Sequence, residues 1–164
     1  MKNKLDSTDI KILKLLQENS EITAKSMGQN LGLSSTPIFE RIKKLEKEGY
    51  IKNYMAILNE RKLGFKLTVF IGITLKGHSR SYLEKFLSKV NNFPEVLECY
   101  QVTGNFDYML KVILKDIEAY QIFVETKLSL ISELGNVHSF IATKKGKQIN
   151  TLNQKVVFCL ELSS

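Results

Sequence analysis

Two stretches of this 164-residue chain hold side chains whose types and spacing could do chemistry. The first is Ser34-Ser35-Thr36-Pro37-x-x-Glu40-Arg41-x-Lys43-Lys44-x-x-Lys47. Three hydroxyl residues in a row are competent helix caps, and Pro37 suits a first turn, where a missing N–H costs nothing. Ile38, Ile42 and Leu45 then recur at i, i+4, i+7 as one apolar stripe, which docks the helix by a single face. Thr36, Glu40, Lys43, Lys44 and Lys47 project from the other side, with Arg41 on the flank. A helix of this kind offers small polar groups to base edges at its start and cations to phosphate along its sides. Ser35, Thr36, Pro37 and Glu40 are expected nearest the bases, Arg41, Lys44 and Lys47 are expected to meet phosphate or guanine, and Ser34 completes the expected DNA-binding set. An ordinary amphipathic surface helix would read the same way in isolation, so the flanking elements must decide.

The second stretch is Thr103-Gly104-Asn105-Phe106-Asp107. Gly104 can take a positive φ and let a ligand approach the backbone, whose N–H groups could hold a carboxylate. Asp107 could receive an ammonium group, the other half of an amino acid. A plain hairpin turn, with Gly-Asn set by geometry and Asp107 solvated, is the competing reading. His78 and His138 stand far apart with no carboxylate or cysteine ligand pattern beside them, so structural roles are expected for both and no metal site. Ser34-Ser35 and Ser163-Ser164 lack the context of a nucleophile elbow, and there is no phosphate-binding or dinucleotide fingerprint. No catalytic residue and no cofactor are expected.

Around the first stretch the sequence predicts a compact helical domain. Asp6 to Asn19 is a helix capped by Asp6 or Ser7, with Ile10, Leu13 and Leu16 inward and Ile12 and Leu15 beside them. A second helix follows a Thr23 cap, carrying Ala24, Met27, Gly28 and Leu31 on one side, where Gly28 would let the third helix cross closely. Gly32-Leu33-Ser34 is a tight connection whose glycine can take a positive φ, and Gly49 ends the basic helix. Helix, helix, tight turn and basic-faced helix in succession is a far stronger signal than the last helix alone. Tyr50 to Leu58 turns to period-two alternation and reads as a strand, a wing or sheet edge.

Around the second stretch the periodicity changes. Leu67–Lys76 is a strand with Val69, Ile71, Ile73 and Leu75 on one face, and Ser81–Val90 a helix with Leu83, Phe86, Leu87 and Val90 inward. Val96–Thr103 and Asp107–Lys115 are strands, Ile117–Leu134 is a long helix ending at Gly135, and Val137–Thr143 is a fourth strand. Strand–helix–strand twice over is the order of a ferredoxin-like sandwich. Lys144-Lys145-Gly146-Lys147 reads as a solvated turn, and Lys155–Leu162 as an extra C-terminal strand that needs a pairing partner. The fold class is α+β: a winged helix-turn-helix over residues 1–58, a linker over 59–66, and a βαββαβ domain over 67–164. Phe70, Cys99, Met109 and Ile113 are expected on the sheet face away from the helices, where a second copy of the chain would cover them.

Composition sets limits. Hydrophobic residues make up 43% of the chain, enough for cores, and no apolar run approaches a membrane span. With no signal-peptide core at the N-terminus, the chain is expected to be soluble and cytoplasmic. The net charge is +7 and the pI near 9.3, which favours an anionic partner. Residues 1–60 carry a net +2 and residues 61–164 a net +5, so the local cation pattern, not the global charge, marks the nucleic-acid candidate. Cys99 and Cys159 sit in apolar strand-like runs and read as buried thiols.

Three motifs carry a family resemblance: Leu5-Asp6-Ser7-Thr8-Asp9-x-x-Ile12-Leu13; Leu31-Gly32-Leu33-Ser34-x-Thr36-Pro37-x-x-Glu40-Arg41-Ile42-x-x-Leu45-Glu46-x-x-Gly49-x-Ile51; and Thr103-Gly104-Asn105-Phe106-Asp107-Tyr108. In both domains and in order, the chain resembles the leucine-responsive regulatory protein/asparagine-synthesis regulator (feast/famine) transcription regulators. That resemblance implies double-stranded DNA as partner, a small effector held at residues 103–107, and dimers that assemble further, often to octamers. The family commonly has Gly-Asp-aromatic-Asp in the effector turn; Asn105 here removes one carboxylate, which points to a neutral amino acid. Sirohaem decarboxylases are similar to the same family in both domains and form the enzymatic alternative, against which the intact Ser/Thr–Arg–Lys helix argues. An adaptor that uses the helical domain for protein contacts is a third class.

Overall fold

The computed structural model describes residues 5–146, in two compact units that divide between Ile57 and Leu58. The first unit is built on α1 (Ser7–Glu18), α2 (Ala24–Leu31) and α3 (Ser35–Lys47). α1 opens with a capping box: the Asp9 N–H donates to Asp6 Oδ1 (2.8 Å) while the Asp6 N–H donates to Asp9 Oδ2 (3.3 Å). Thr23 caps α2 through its hydroxyl oxygen, and Gly32 ends that helix at φ +68°. Ile12, Met27, Ile38 and Leu45 are sealed from solvent at the centre, with Leu13, Leu16, Leu31, Ile42 and Ile51 around them. Ile10 is buried as expected and Leu13 and Leu16 pack partly buried against the core, while Ile12, read as lying beside that stripe, takes the central place. A helix covered by two neighbours buries a wider arc than one stripe, and here the arc centres on Ile12.

Gly28 is needed, for a different reason from the one expected. A Cβ there would lie 2.5 Å from the carbonyl oxygen of Leu33, while the Leu33 N–H donates to the Gly28 carbonyl (2.9 Å). Its bare backbone makes room for the turn rather than for a crossing by α3. The predicted strand at Tyr50–Leu58 is not formed: residues 51–59 carry no regular structure. Period-two alternation becomes a strand only against another strand, and the described part of this unit contains none. Tyr54 instead ties the segment to α3 by donating its hydroxyl to Glu46 (3.1 Å), and Met55, Ile57 and Leu58 stand largely in solvent.

In the second unit, β1 (Leu67–Leu75), α4 (Arg80–Val90), β2 (Val96–Gln101), β3 (Tyr108–Leu114), α5 (Ile117–Phe123) and β4 (Leu134–Ile141) follow in order. The sheet runs β2-β3-β1-β4 with all neighbours antiparallel, the ferredoxin-like arrangement. Val69, Ile71, Ile73 and Leu75 of β1 and Tyr108, Leu110, Val112 and Leu114 of β3 form the inner face, closed by Phe86 and Val90 of α4 and by Phe123 and Leu128. The last helix is shorter than its apolar spacing predicts. After α5 the backbone widens into a π turn over Val124–Leu128, closed by the Ser129 N–H on the Val124 carbonyl (2.9 Å), and turns lead directly into β4. Gly135 thus lies in β4, not at a helix end; a Cβ there would come within 3.1 Å of both the hydroxyl and the carbonyl of Thr74.

Cys99 also departs from expectation. A register shift between Val96 and Glu98 places Cys99 opposite Leu110, on the inner face, where burial pushes its thiol up. One residue of slip reverses every later side chain in a strand. The outer face instead carries Phe70, Tyr100, Met109, Ile113 and Phe140, with Phe70 directly opposite Phe140. Phe70, Tyr100 and Phe140 are 39%, 57% and 51% exposed. The expected strand at Lys155–Leu162 and Cys159 lie outside the described residues.

Candidate nucleic-acid interface and effector turn

α3 presents its first turn to solvent. Ser34 occupies the cap position with extended backbone but makes no side-chain cap bond, so its hydroxyl is not committed to the helix. Ser34, Ser35, Thr36, Glu40 and Lys47 are exposed, Pro37 and Lys44 half-buried. Seven of the eight predicted residues thus lie on the accessible side of this helix or at its edge. Arg41 does not stand free. Its Nη1 donates to Asp6 Oδ2 (2.5 Å) and to Asp9 Oδ1 (2.6 Å), tying α3 to the first turn of α1. In this unit Arg41 is thus engaged with the start of α1, where Asp9 is sealed from solvent and a buried carboxylate needs a partner. Partial desolvation pushes the Asp6 carboxyl up, but hydrogen bonds from the Asp9 N–H and the Arg41 guanidinium outweigh it and hold the group below the usual range.

Phe39 was absent from the sequence reading of this face. Its ring is 54% exposed, and the Lys43 ammonium sits over it, 5.6 Å from the ring centre. Lys43 also donates to Glu46 (2.9 Å), so Phe39, Lys43, Glu46 and Tyr54 form a chain along one flank of α3.

The turn between β2 and β3 has Gly104 at φ +110°, with Thr103, Gly104 and Asn105 exposed. Phe106 folds back onto β1: its ring covers Gly72, where a Cβ would meet three ring carbons at 2.9 Å. The same ring lies 5.5 Å from the His138 ring and 6.2 Å from that of Phe140, both on β4. Asp107 is already engaged. Its Oδ2 accepts the Leu75 N–H (2.7 Å), and its Oδ1 pairs with His78 Nε2 (2.9 Å). The bond from Leu75, reinforced by His78 against a smaller desolvation, holds the Asp107 carboxyl below the usual range. Asp107 is therefore first an anchor for the end of β1, and an incoming ammonium would have to compete with His78. His78 itself was read as lacking a carboxylate neighbour; the fold supplies one from 29 residues away.

A helix-turn-helix with a hydroxylic, basic reading helix, joined to a ferredoxin-like domain with an accessible glycine turn, defines a class: DNA-binding regulators with a separate ligand-binding domain. Comparison with known proteins agrees. Residues 5–52 match the winged helix-turn-helix DNA-binding family and residues 68–152 the Lrp/AsnC ligand binding domain. The chain is 37% identical over 140 residues to the Bkd operon transcriptional regulator of Pseudomonas aeruginosa, covering 85% of this chain and 92% of that one. It is 37% identical over 148 residues to the leucine-responsive regulatory protein of Haemophilus influenzae, covering 90% and 89%. Among solved structures, a Neisseria meningitidis transcriptional regulator in complex with L-methionine superposes with a TM-score of 0.88 at 32% identity, covering 93% of this chain and 99% of that one. This chain belongs to the Lrp/AsnC family. It is a DNA-binding transcription regulator and not an enzyme, so the sirohaem-decarboxylase alternative falls away.

Proposed function

We propose that this regulator binds specific double-stranded DNA sequences as a homodimer and answers to a neutral amino acid. The observation that carries the DNA reading is the uncommitted hydroxyl surface at the start of α3, Ser34 to Thr36, followed by exposed Glu40 and Lys47. Ser34, Ser35, Thr36, Pro37 and Glu40 face base edges, Lys44 and Lys47 face phosphate, and Arg41 sets the angle of α3 on α1. A two-fold dimer would read half-sites about one helical turn apart. The dimer reading rests on the sheet's outer face, where Phe70, Tyr100 and Phe140 are too exposed for an isolated domain to leave bare. Such dimers assemble further, to an octamer among other states. Residues 1–58 serve as the reading head, 59–66 as the linker and 67–164 as the sensing and assembly part, acting in the cytoplasm. Among the described residues no helix is long and apolar enough to cross a membrane.

The effector lies at Thr103–Asp107. Backbone N–H groups around Gly104 hold its carboxylate, and its ammonium displaces His78 from Asp107 Oδ1. Asn105 leaves the turn without a second carboxylate, so nothing there selects a cationic side chain. The L-methionine held by the Neisseria meningitidis relative supports a neutral ligand. Isothermal calorimetry with the twenty amino acids against wild type and Asp107→Asn, which keeps an acceptor for the Leu75 N–H but removes the charge, tests this. Binding of a neutral amino acid that Asp107→Asn loses or weakens is expected; equal binding in both proteins would place the ligand elsewhere. Light scattering at micromolar concentration should return a multiple of 18.8 kDa, and a monomer mass would refute the dimer.

A further inference from the structure

Among the described residues Phe39 lies outside the core of its unit, which closes around Ile12, Met27, Ile38 and Leu45. A single exposed apolar side chain is ordinary on a protein surface; its place on α3 is what distinguishes this one. At about 100° per residue, Ser35, Glu46, Phe39, Lys43, Thr36, Lys47 and Glu40 follow one another round α3, away from its apolar stripe. Phe39 therefore flanks the hydroxyl, carboxylate and lysine side chains that form the reading face, beside Lys43 and one turn in from the helix start. Every neighbour on that arc is polar, and the ring remains 54% exposed. Lys43 steadies the ring from above and is itself fixed by Glu46, which in turn accepts from Tyr54. The ring is thus an oriented apolar group on a surface built for DNA. Among the base edges in the major groove the one apolar group is the C5 methyl of thymine, and a phenyl ring is a competent partner for it.

We infer that Phe39 is a specificity-determining residue that reads a thymine methyl in the major groove. The inference rests on the sequence-specific DNA reading above and extends it from hydrogen bonding to apolar recognition. Replacing thymine with uracil removes only the methyl and leaves every hydrogen-bonding group in place, so it isolates the contact. Full-length protein would first be used to select double-stranded sites from a random pool. Each thymine of the preferred site is then replaced by uracil, and affinity is measured for wild type, Phe39→Leu and Phe39→Ala. One thymine per half-site is expected to lose about fourfold in wild type, the value of burying one methyl-sized group. Phe39→Leu should keep part of that sensitivity and Phe39→Ala none. Phe39→Gln replaces the alanine variant if that one does not fold, and is expected to be equally insensitive. Uracil effects that are absent in wild type, or equal in wild type and the alanine or glutamine variant, overturn the inference while leaving sequence-specific binding intact. A Phe39 variant whose oligomeric mass changes overturns it too, because the ring would then be a contact between protein surfaces. Failure of wild type to enrich any sequence would overturn the underlying DNA reading and this inference with it.

Discussion

Replacing Arg41 with alanine separates a positioning residue from a DNA ligand. In the folded unit the guanidinium bridges Asp6 Oδ2 and Asp9 Oδ1 at 2.5 and 2.6 Å. The side chains of Arg41, Asp6 and Asp9 are 33%, 50% and 1% exposed, so the pair with Asp6 is a surface bridge and the pair with Asp9 half-interior. Exposed pairs contribute about 0.2–1 kcal/mol, whereas stripping the partner from a fully buried charge costs about 3–5 kcal/mol. Asp9 keeps the Asp6 N–H and the positive end of α1 when Arg41 is removed. The expected loss is therefore intermediate, about 2 kcal/mol, or roughly thirtyfold in local opening. Hydrogen exchange on the full chain reads this directly: amides of α1 and α3 should lose protection by about that factor while β1 and β3 keep theirs. DNA affinity should fall because α3 is no longer held at its angle, yet the slope of log affinity against log salt should not change, since no phosphate contact is lost. Arg41→Lys should recover part of the protection, as one ammonium replaces a forked donor. Unchanged protection together with a shallower salt slope would refute the reasoning and make Arg41 a phosphate ligand.

Three further outcomes are expected. Gly28→Ala drives a Cβ to within 2.5 Å of the Leu33 carbonyl oxygen, which should cost about 2–3 kcal/mol and loosen the helix-turn-helix, as measured by thermal unfolding and loss of DNA binding. Asp107→Ala orphans the Leu75 N–H and should destabilise the second unit by about 1–3 kcal/mol even without ligand, whereas Asp107→Asn keeps a carbonyl acceptor and should lose less; equal losses in a denaturant titration would contradict the anchor role. Asp6 and Asp107 both have carboxyls depressed in the folded state, so the stability they contribute is complete above the ordinary aspartate value near pH 4 and is lost as pH falls through their lowered values. Asp6→Asn/Asp107→Asn should accordingly flatten the fall in stability between about pH 4 and 2, and an unchanged slope would count against both assignments.

Most of the architecture was readable because its periodicities are local. Alternation along Val69–Leu75 and Tyr108–Leu114 identified the inner sheet face, and Thr23, Gly32 and Gly49 marked helix ends. What escaped the sequence depends on partners brought from a distance or on register. Arg41 meets Asp6 across 35 residues, a pairing that no local pattern announces. His78 finds Asp107 only once β1 and β3 are paired. Cys99 changed faces through a register shift that nothing in Val96–Gln101 announces. The apolar spacing from Ile117 to Ile131 fits a continuous helix, and it takes the wide turn at Val124–Leu128 to end it early. Phe39 was passed over because reasoning from polar groups looks for hydrogen bonds and charge, whereas a methyl of thymine is read by neither.

The seating of Phe106 on Gly72 has a consequence for how this sequence can drift. A methyl at position 72 and a phenyl ring at position 106 claim one volume, with three ring carbons 2.9 Å from where the methyl would be. Position 106 can shrink while the glycine stays, but a side chain at 72 is admitted only if the ring at 106 moves off or becomes smaller. A lineage that acquires a side chain at 72 therefore displaces or gives up the ring that ties the turn to the sheet. Its turn then starts from a different resting shape, so the conformation of residues 103–107 can change through a substitution in mid-strand.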